Sequence, residues 1–103
     1  MLSPAEPPLP EVWLCVDYGL AWPLSDVMWE EQDRPDWNEL LGQNIVDRLT
    51  TLAAFFTRHA DEETGMFGSE DLRKWFDLES VSLFNELEDR VGHIYRVRLK
   101  LWF

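Results

Sequence analysis

Hydrophobic residues recur at two different periods in this chain, and the change falls at Gly92. Before it, over residues 69–91, Leu72, Phe76, Leu83, Leu87 and Val91 make one helical stripe, interrupted by the polar Ser80. After it, "HIYRVRLKLWF" alternates strictly. Tyr95, Val97, Leu99, Leu101 and Phe103 face one way, while Arg96, Arg98, Lys100 and Trp102 face the other. A period of 3.6 specifies a helix packed on one side, and a period of two specifies a strand with one buried face. The chain must therefore turn a helix into a strand at a glycine, the residue that commonly stops helices.

The same two periods occur earlier, in reverse order. In "EVWLCVDYG", Val12, Leu14 and Val16 lie on one face and Trp13, Cys15 and Asp17 on the other, which predicts a strand over 11–18 closed by Gly19. Residues 20–36 carry Pro23 and Pro35 and have weak periodicity, so a long loop with a short strand or turn near 27–29 is expected. Asp36 is placed to cap a helix, with Glu39 three residues on. Trp37, Leu41, Ile45, Leu49, Leu52 and Phe56 then form one stripe, predicting a helix over 37–60 that runs through Gly42. Ser69 caps the second helix, with Glu70 and Asp71 in its first turn.

The order is strand, helix, helix, strand. Two singly striped helices must cover one face of a small sheet, giving a two-layer α+β domain. Its expected extent is 11–103, preceded by a Pro-rich flexible arm over 1–10. The alternating cations of the last strand then belong to a solvated sheet face beside Trp13, Cys15 and Asp17, where they also blunt an edge strand.

Charge narrows the function. The chain has 103 residues, 20 acidic against 9 basic, for a net charge of −11. Residues 1–36 and 37–91 each carry −7, and 92–103 carry +3. Such a balance disfavours direct binding to nucleic acid or to anionic membranes, both of which need a basic footprint. It suits solubility, or steering toward a basic protein. No uncharged apolar run approaches membrane-spanning length. "MLSPAEPPLP" lacks the features of a signal peptide, and Cys15 is the single cysteine, so a cytoplasmic protein is expected.

Catalytic signatures are missing. His59 near Asp61, Glu62 and Glu63 has no second histidine at helical spacing, which argues against a metal site. Ser69 serves as a cap, and no G-x-S-x-G is present. Cys15 lies in an apolar strand, the setting of an inert thiol. "GMFG" is no phosphate loop. The chain reads as no enzyme, with no cofactor.

What remains is a coincidence of aromatic and acidic residues. Tyr18, Trp22, Trp29 and Trp37 fall in or beside a loop carrying Asp26, Glu30, Glu31, Asp33 and Asp36. Tryptophan anchors interfaces and excess charge speeds encounter. The expected partner-binding residues are Trp22, Trp29, Glu30, Glu31 and Asp33, with Asp61, Glu62 and Glu63 of the next acidic loop. Any one of these rings also suits a small core as cover.

At "VDYGLAWPL", followed by two helices and a final strand, the chain resembles small uncharacterised proteins common in actinobacteria. The shared pattern is a strand ending in Asp-x-Gly, a Trp or Leu next to Pro-Leu, a helix with Trp and Phe, and a C-terminal strand. The likeness spans 12–103 and implies the architecture, with no function to carry over.

These features point to an acidic protein-binding module, an inhibitor of immunity-protein or antitoxin type that covers a basic effector. The alternatives are a nucleic-acid mimic, its row of acids supplied by Asp61, Glu62, Glu63, Glu70 and Asp71 with Asp77, Glu79, Glu86, Glu88 and Asp89 of the second helix, or a non-catalytic accessory subunit. A continuous stripe of acids would favour mimicry; a patch centred on aromatic rings would favour a conventional interface.

Overall fold

Val12 and Val97 stand opposite each other in a two-stranded parallel sheet, the frame on which the rest of the chain is packed. The computed structural model describes residues 9–17, 19–60 and 67–100. Strand β1 is Glu11–Leu14 and strand β2 is Arg96–Leu99, with Glu11 opposite Arg96 and Leu14 opposite Leu99. Between them lie two 3-10 turns, Ser25–Met28 and Glu31–Asp33, and helices α1 (Trp37–Leu41), α2 (Gln43–His59) and α3 (Glu70–Val91). The architecture is α+β, with both long helices between the two strands.

Alternation divides the sheet as the sequence predicts. Val12, Leu14 and Val97 are buried, whereas Glu11, Trp13, Arg96 and Arg98 are exposed. The buried face joins Leu49, Leu52, Phe56, Phe76, Leu83 and Leu87 in one cluster, so α2 and α3 cover a single side. Leu99, on the apolar face of the last strand and expected in the core, is half-buried at the margin of that cluster. On the open face the Arg98 guanidinium lies 3.5 Å from the Glu11 carboxylate, and Trp13 stands opposite Arg98. Parallel sheets are usually covered on both sides. Among the described residues the second face carries the exposed charges of Glu11, Arg96 and Arg98, as a solvated face requires.

Both strands are shorter than expected. The other edge of β1 is met by the loop that follows it: Trp13 N–H donates to Ser25 Oγ at 2.9 Å, and just past the strand Cys15 N–H donates to the Pro23 carbonyl at 2.8 Å. Leu24 makes a single antiparallel bridge to Leu14, and the chain then closes into the first 3-10 turn. A proline suits this edge because only its carbonyl is needed. Pro10, expected in the free arm, accepts from Arg96 N–H at 2.9 Å. Residues 101–103 of the alternating tail lie outside the described residues, as do 1–8 of the arm.

The predicted helix over 37–60 is two helices, because Gly42 stops the first. It adopts φ 86°, ψ 155°, a region essentially closed to residues with a Cβ, and it ends α1 while starting α2. The apolar stripe crosses this break intact: Trp37, Leu41, Ile45, Leu49, Leu52 and Phe56 are all buried. A Cβ at Gly42 would touch nothing within 4 Å, so the cost of Gly42→Ala is purely conformational. We expect it to lower stability by about 1–3 kcal/mol in urea unfolding. Gly92 is glycine for another reason. Its φ of −63° is ordinary, but a Cβ there would run into the Glu88 carbonyl.

Both predicted caps are present. Asp36 Oδ1 accepts from Glu39 N–H and Ser69 Oγ from Leu72 N–H, each at 3.2 Å. Helices α2 and α3 are pinned by Arg48, which reaches Glu79 through two nitrogens at 2.7 and 3.2 Å and Ser82 Oγ at 3.0 Å.

Candidate functional site

The loop between β1 and α1 is organised by Asp26, which is 3% exposed. Trp22 Nε1 donates to its Oδ1 at 2.8 Å, and Trp37 Nε1 donates to its Oδ2 at 2.9 Å. A buried indole N–H needs an acceptor, and a buried carboxylate needs donors, so each satisfies the other. The Ser25–Met28 turn places Asp26 inward, four residues beyond Trp22, while the Asp36 cap starts α1 so that Trp37 arrives from the opposite side. Arg34, the one base among residues 1–36, closes the loop by donating to the carbonyls of Val27 at 2.9 Å and Trp29 at 3.3 Å.

Rings continue outward from this anchor. Trp22 and Trp37 lie 6.4 Å apart by ring centroid, Trp37 and Tyr95 5.8 Å, and Tyr95 and Trp29 5.8 Å. Tyr95 comes from the turn between α3 and β2, fixed by its N–H bond to Val91 at 2.8 Å. Burial pushes the Tyr95 phenol above its ordinary pKa, and the negative charge of Asp26 adds to the shift. The phenol is therefore neutral throughout the physiological range.

At the outer end Trp29 and Tyr95 line an open groove of about 450 Å³ with Pro10, Glu30 and Asp33. That volume falls in the range of ligand and side-chain receptors. The groove brings together three of the residues that the sequence marks for partner binding: Trp29, Glu30 and Asp33. Glu31 is exposed in the same 3-10 turn but does not line it. Trp22 is half-buried and spent on Asp26, at the inner end of the aromatic row. Asp61, Glu62 and Glu63 lie outside the described residues. Sequence reasoning missed Tyr95 and Pro10, which are remote in the chain, and Met28, which is 85% exposed beside Trp29.

Three of the acids of α3 are paired with arginines. Glu79 is paired with Arg48, Glu86 with Arg90 at 3.4 Å, and Asp77 with Arg73 at 3.8 Å. A second hollow of about 250 Å³ lies on this helix between Glu70, Arg73, Lys74 and Asp77, with charges of both signs. Asp77 Oδ1 is buried there without a hydrogen-bond partner. Burial raises the Asp77 pKa above 3.8, and Arg73 only partly opposes it. A carboxyl whose folded pKa is raised weakens the fold once it ionises. The penalty is complete above the folded pKa and absent below the unfolded value. Asp77→Asn should therefore raise the melting temperature by a degree or so at pH 7, with the difference vanishing near pH 3. A variant less stable than the parent at pH 7 would refute this account.

Cys15 and His59 are the remaining candidates. Burial raises the Cys15 pKa, outweighing the opposing charge of Lys100, so its half-buried thiol stays protonated. His59 packs on Phe55 with ring centroids 4.5 Å apart. Among the described residues no group of three or more His, Cys, Asp or Glu side chains converges as metal ligands do. Nor is any helix among them long and apolar enough to cross a membrane. Comparison with protein-family models, curated proteins and solved structures finds no match to this chain.

Proposed function

We propose that the protein is a non-catalytic binding module that covers a basic protein, in the manner of an immunity protein or antitoxin. The observation that carries this reading is the groove in which Trp29 and Tyr95 meet Glu30 and Asp33. Aromatic anchors supply affinity at interface centres, and unpaired acids around them supply electrostatic complementarity. No ion pair engages Glu30, Glu31 or Asp33 among the described residues, so their charges are available to a partner. The net charge of −11 extends the attraction to longer range. Mimicry of nucleic acid is less well supported, because arginines interrupt the acids of α3.

The test begins with affinity capture from lysate of the native host, followed by binding kinetics on the purified partner. The partner should be basic. Glu30→Gln, Glu31→Gln and Asp33→Asn together should slow association and flatten its salt dependence, because exposed charges act through steering. Trp29→Ala should instead speed dissociation by on the order of tenfold or more, the signature of an anchor worth about 2 kcal/mol. If both leave binding unchanged while substitution of Arg96, Arg98 and Lys100 abolishes it, the interface is the open sheet face.

A further inference from the structure

We propose that the groove between Pro10, Trp29 and Tyr95 is a receptor for one cationic side chain, an arginine guanidinium, with Glu30 and Asp33 as its counter-charges. This deepens the reading of the protein as a binder of basic partners and rests on it for the identity of the macromolecule. The chemistry of the groove stands on its own geometry.

Three observations converge. First, the lining joins two aromatic side chains to two carboxylates. A neutral hydrophobic occupant gains nothing from the carboxylates, and an anionic one is repelled by them. A cation uses both, through attraction to the rings and to the acids. Second, a third carboxyl group lies behind the rings. Asp26 is buried and bonded by two indoles, and no lysine or arginine among the described residues is ion-paired with it. Its field reaches Tyr95, whose phenol it helps to hold in the neutral form. Third, the walls are held in advance. Trp29 is braced by Tyr95 and by Arg34 at its carbonyl, and Pro10 by the Arg96 amide. A site that needs little ordering loses less on binding.

Arginine fits better than lysine for a physical reason. Its guanidinium is planar, weakly hydrated and able to stack on a ring while its edge donates to a carboxylate. A lysine ammonium is compact and strongly hydrated, and it satisfies one of these demands at a time. An open groove of about 450 Å³ has room for the guanidinium and its methylene stem.

The test uses N-acetyl-arginine amide, N-acetyl-lysine amide and N-acetyl-norleucine amide titrated into the full chain, followed by amide and indole NMR shifts. Arginine amide should give saturable shifts at the Trp29 indole, Tyr95 and Asp33, at least threefold tighter than lysine amide, with no saturation by norleucine amide. Glu30→Gln with Asp33→Asn should weaken arginine amide at least fivefold. Trp29→Leu should do the same, and Trp29→Phe should retain most of the affinity. Unchanged shifts elsewhere would establish that the variants are folded; a variant that unfolds is replaced by the 0.5 M salt titration of the parent, which should also weaken binding. Equal response to norleucine amide would make the groove merely apolar, and shifts confined to Glu70–Asp77 would place the cation on α3. Either result overturns the proposal. If arginine amide fails while a captured basic partner still depends on Trp29, only this inference falls. If arginine amide binds but no basic partner is captured, only the proposed function does.

Discussion

Truncating Phe56 or Phe76 to alanine is expected to destabilise the protein by about 3–5 kcal/mol. Both rings are 2% exposed, and their centroids lie 5.7 Å apart where α2 crosses α3. Phe67, beyond the 61–66 segment, packs on both, edge-on to Phe56 at 6.0 Å and tilted against Phe76 at 5.1 Å. Removing either ring leaves a cavity whose walls belong to three segments, and rigid helices close such a space poorly. A domain of this size has roughly 5–15 kcal/mol of total stability, so either change removes a large part of it. Urea unfolding with an unchanged m-value would measure the loss. Losses below about 1 kcal/mol at both positions would mean that the helices do not meet through these rings. Leu78→Ala is the control: it lies on the exposed face of α3 and should change stability by less than about 0.5 kcal/mol.

Asp26→Ala is expected to cost about 2–4 kcal/mol, although it removes a buried charge. The reason is what it leaves behind. Trp22 and Trp37 each lose their acceptor, and a donor stranded in the interior costs roughly 1–3 kcal/mol. Relief of the carboxylate's own desolvation offsets part of this. Asp26→Asn should cost less than Ala, since one amide oxygen still accepts from one indole while the amide nitrogen opposes the other. The near-ultraviolet circular dichroism should change with Asp26→Ala, because Trp22, Trp37, Tyr95 and Trp29 form one row of rings. An Asp26→Leu variant as stable as the parent would show that the two hydrogen bonds do not recover the cost of burial. The carboxylate would then be kept for its field behind the groove.

The groove was only half legible in the sequence. Trp29, Glu30 and Asp33 lie within five residues of one another in an acidic, Pro-bounded loop, which is enough to mark them. Trp22 carried the same local signal yet lies at the inner end of the aromatic row. Nothing in residues 22–37 distinguishes the acid that two indoles will bury from those that stay in water. That choice depends on where Trp37 arrives once the Asp36 cap and Gly42 have positioned α1. Tyr95 and Pro10 carried no signal at all, because their place in the groove depends on contacts distant in the chain.

By itself the sequence determined which face of each element is buried, the capped starts of α1 and α3, and that the last strand would expose its cations. These are local properties. Side-chain direction repeats every two residues in a strand and every 3.6 in a helix, and a cap needs only a side chain three residues from its donor. Tertiary structure alone decided the parallel pairing of β1 with β2, the break at Gly42, the meeting of the other edge of β1 with the loop that follows it, and the burial of Asp26. At each of these points the local chain tolerates more than one conformation. The selection is made by long-range packing, through an apolar stripe that stays buried on both sides of the Gly42 break, and through two indoles that meet only when α1 and the loop are both in place.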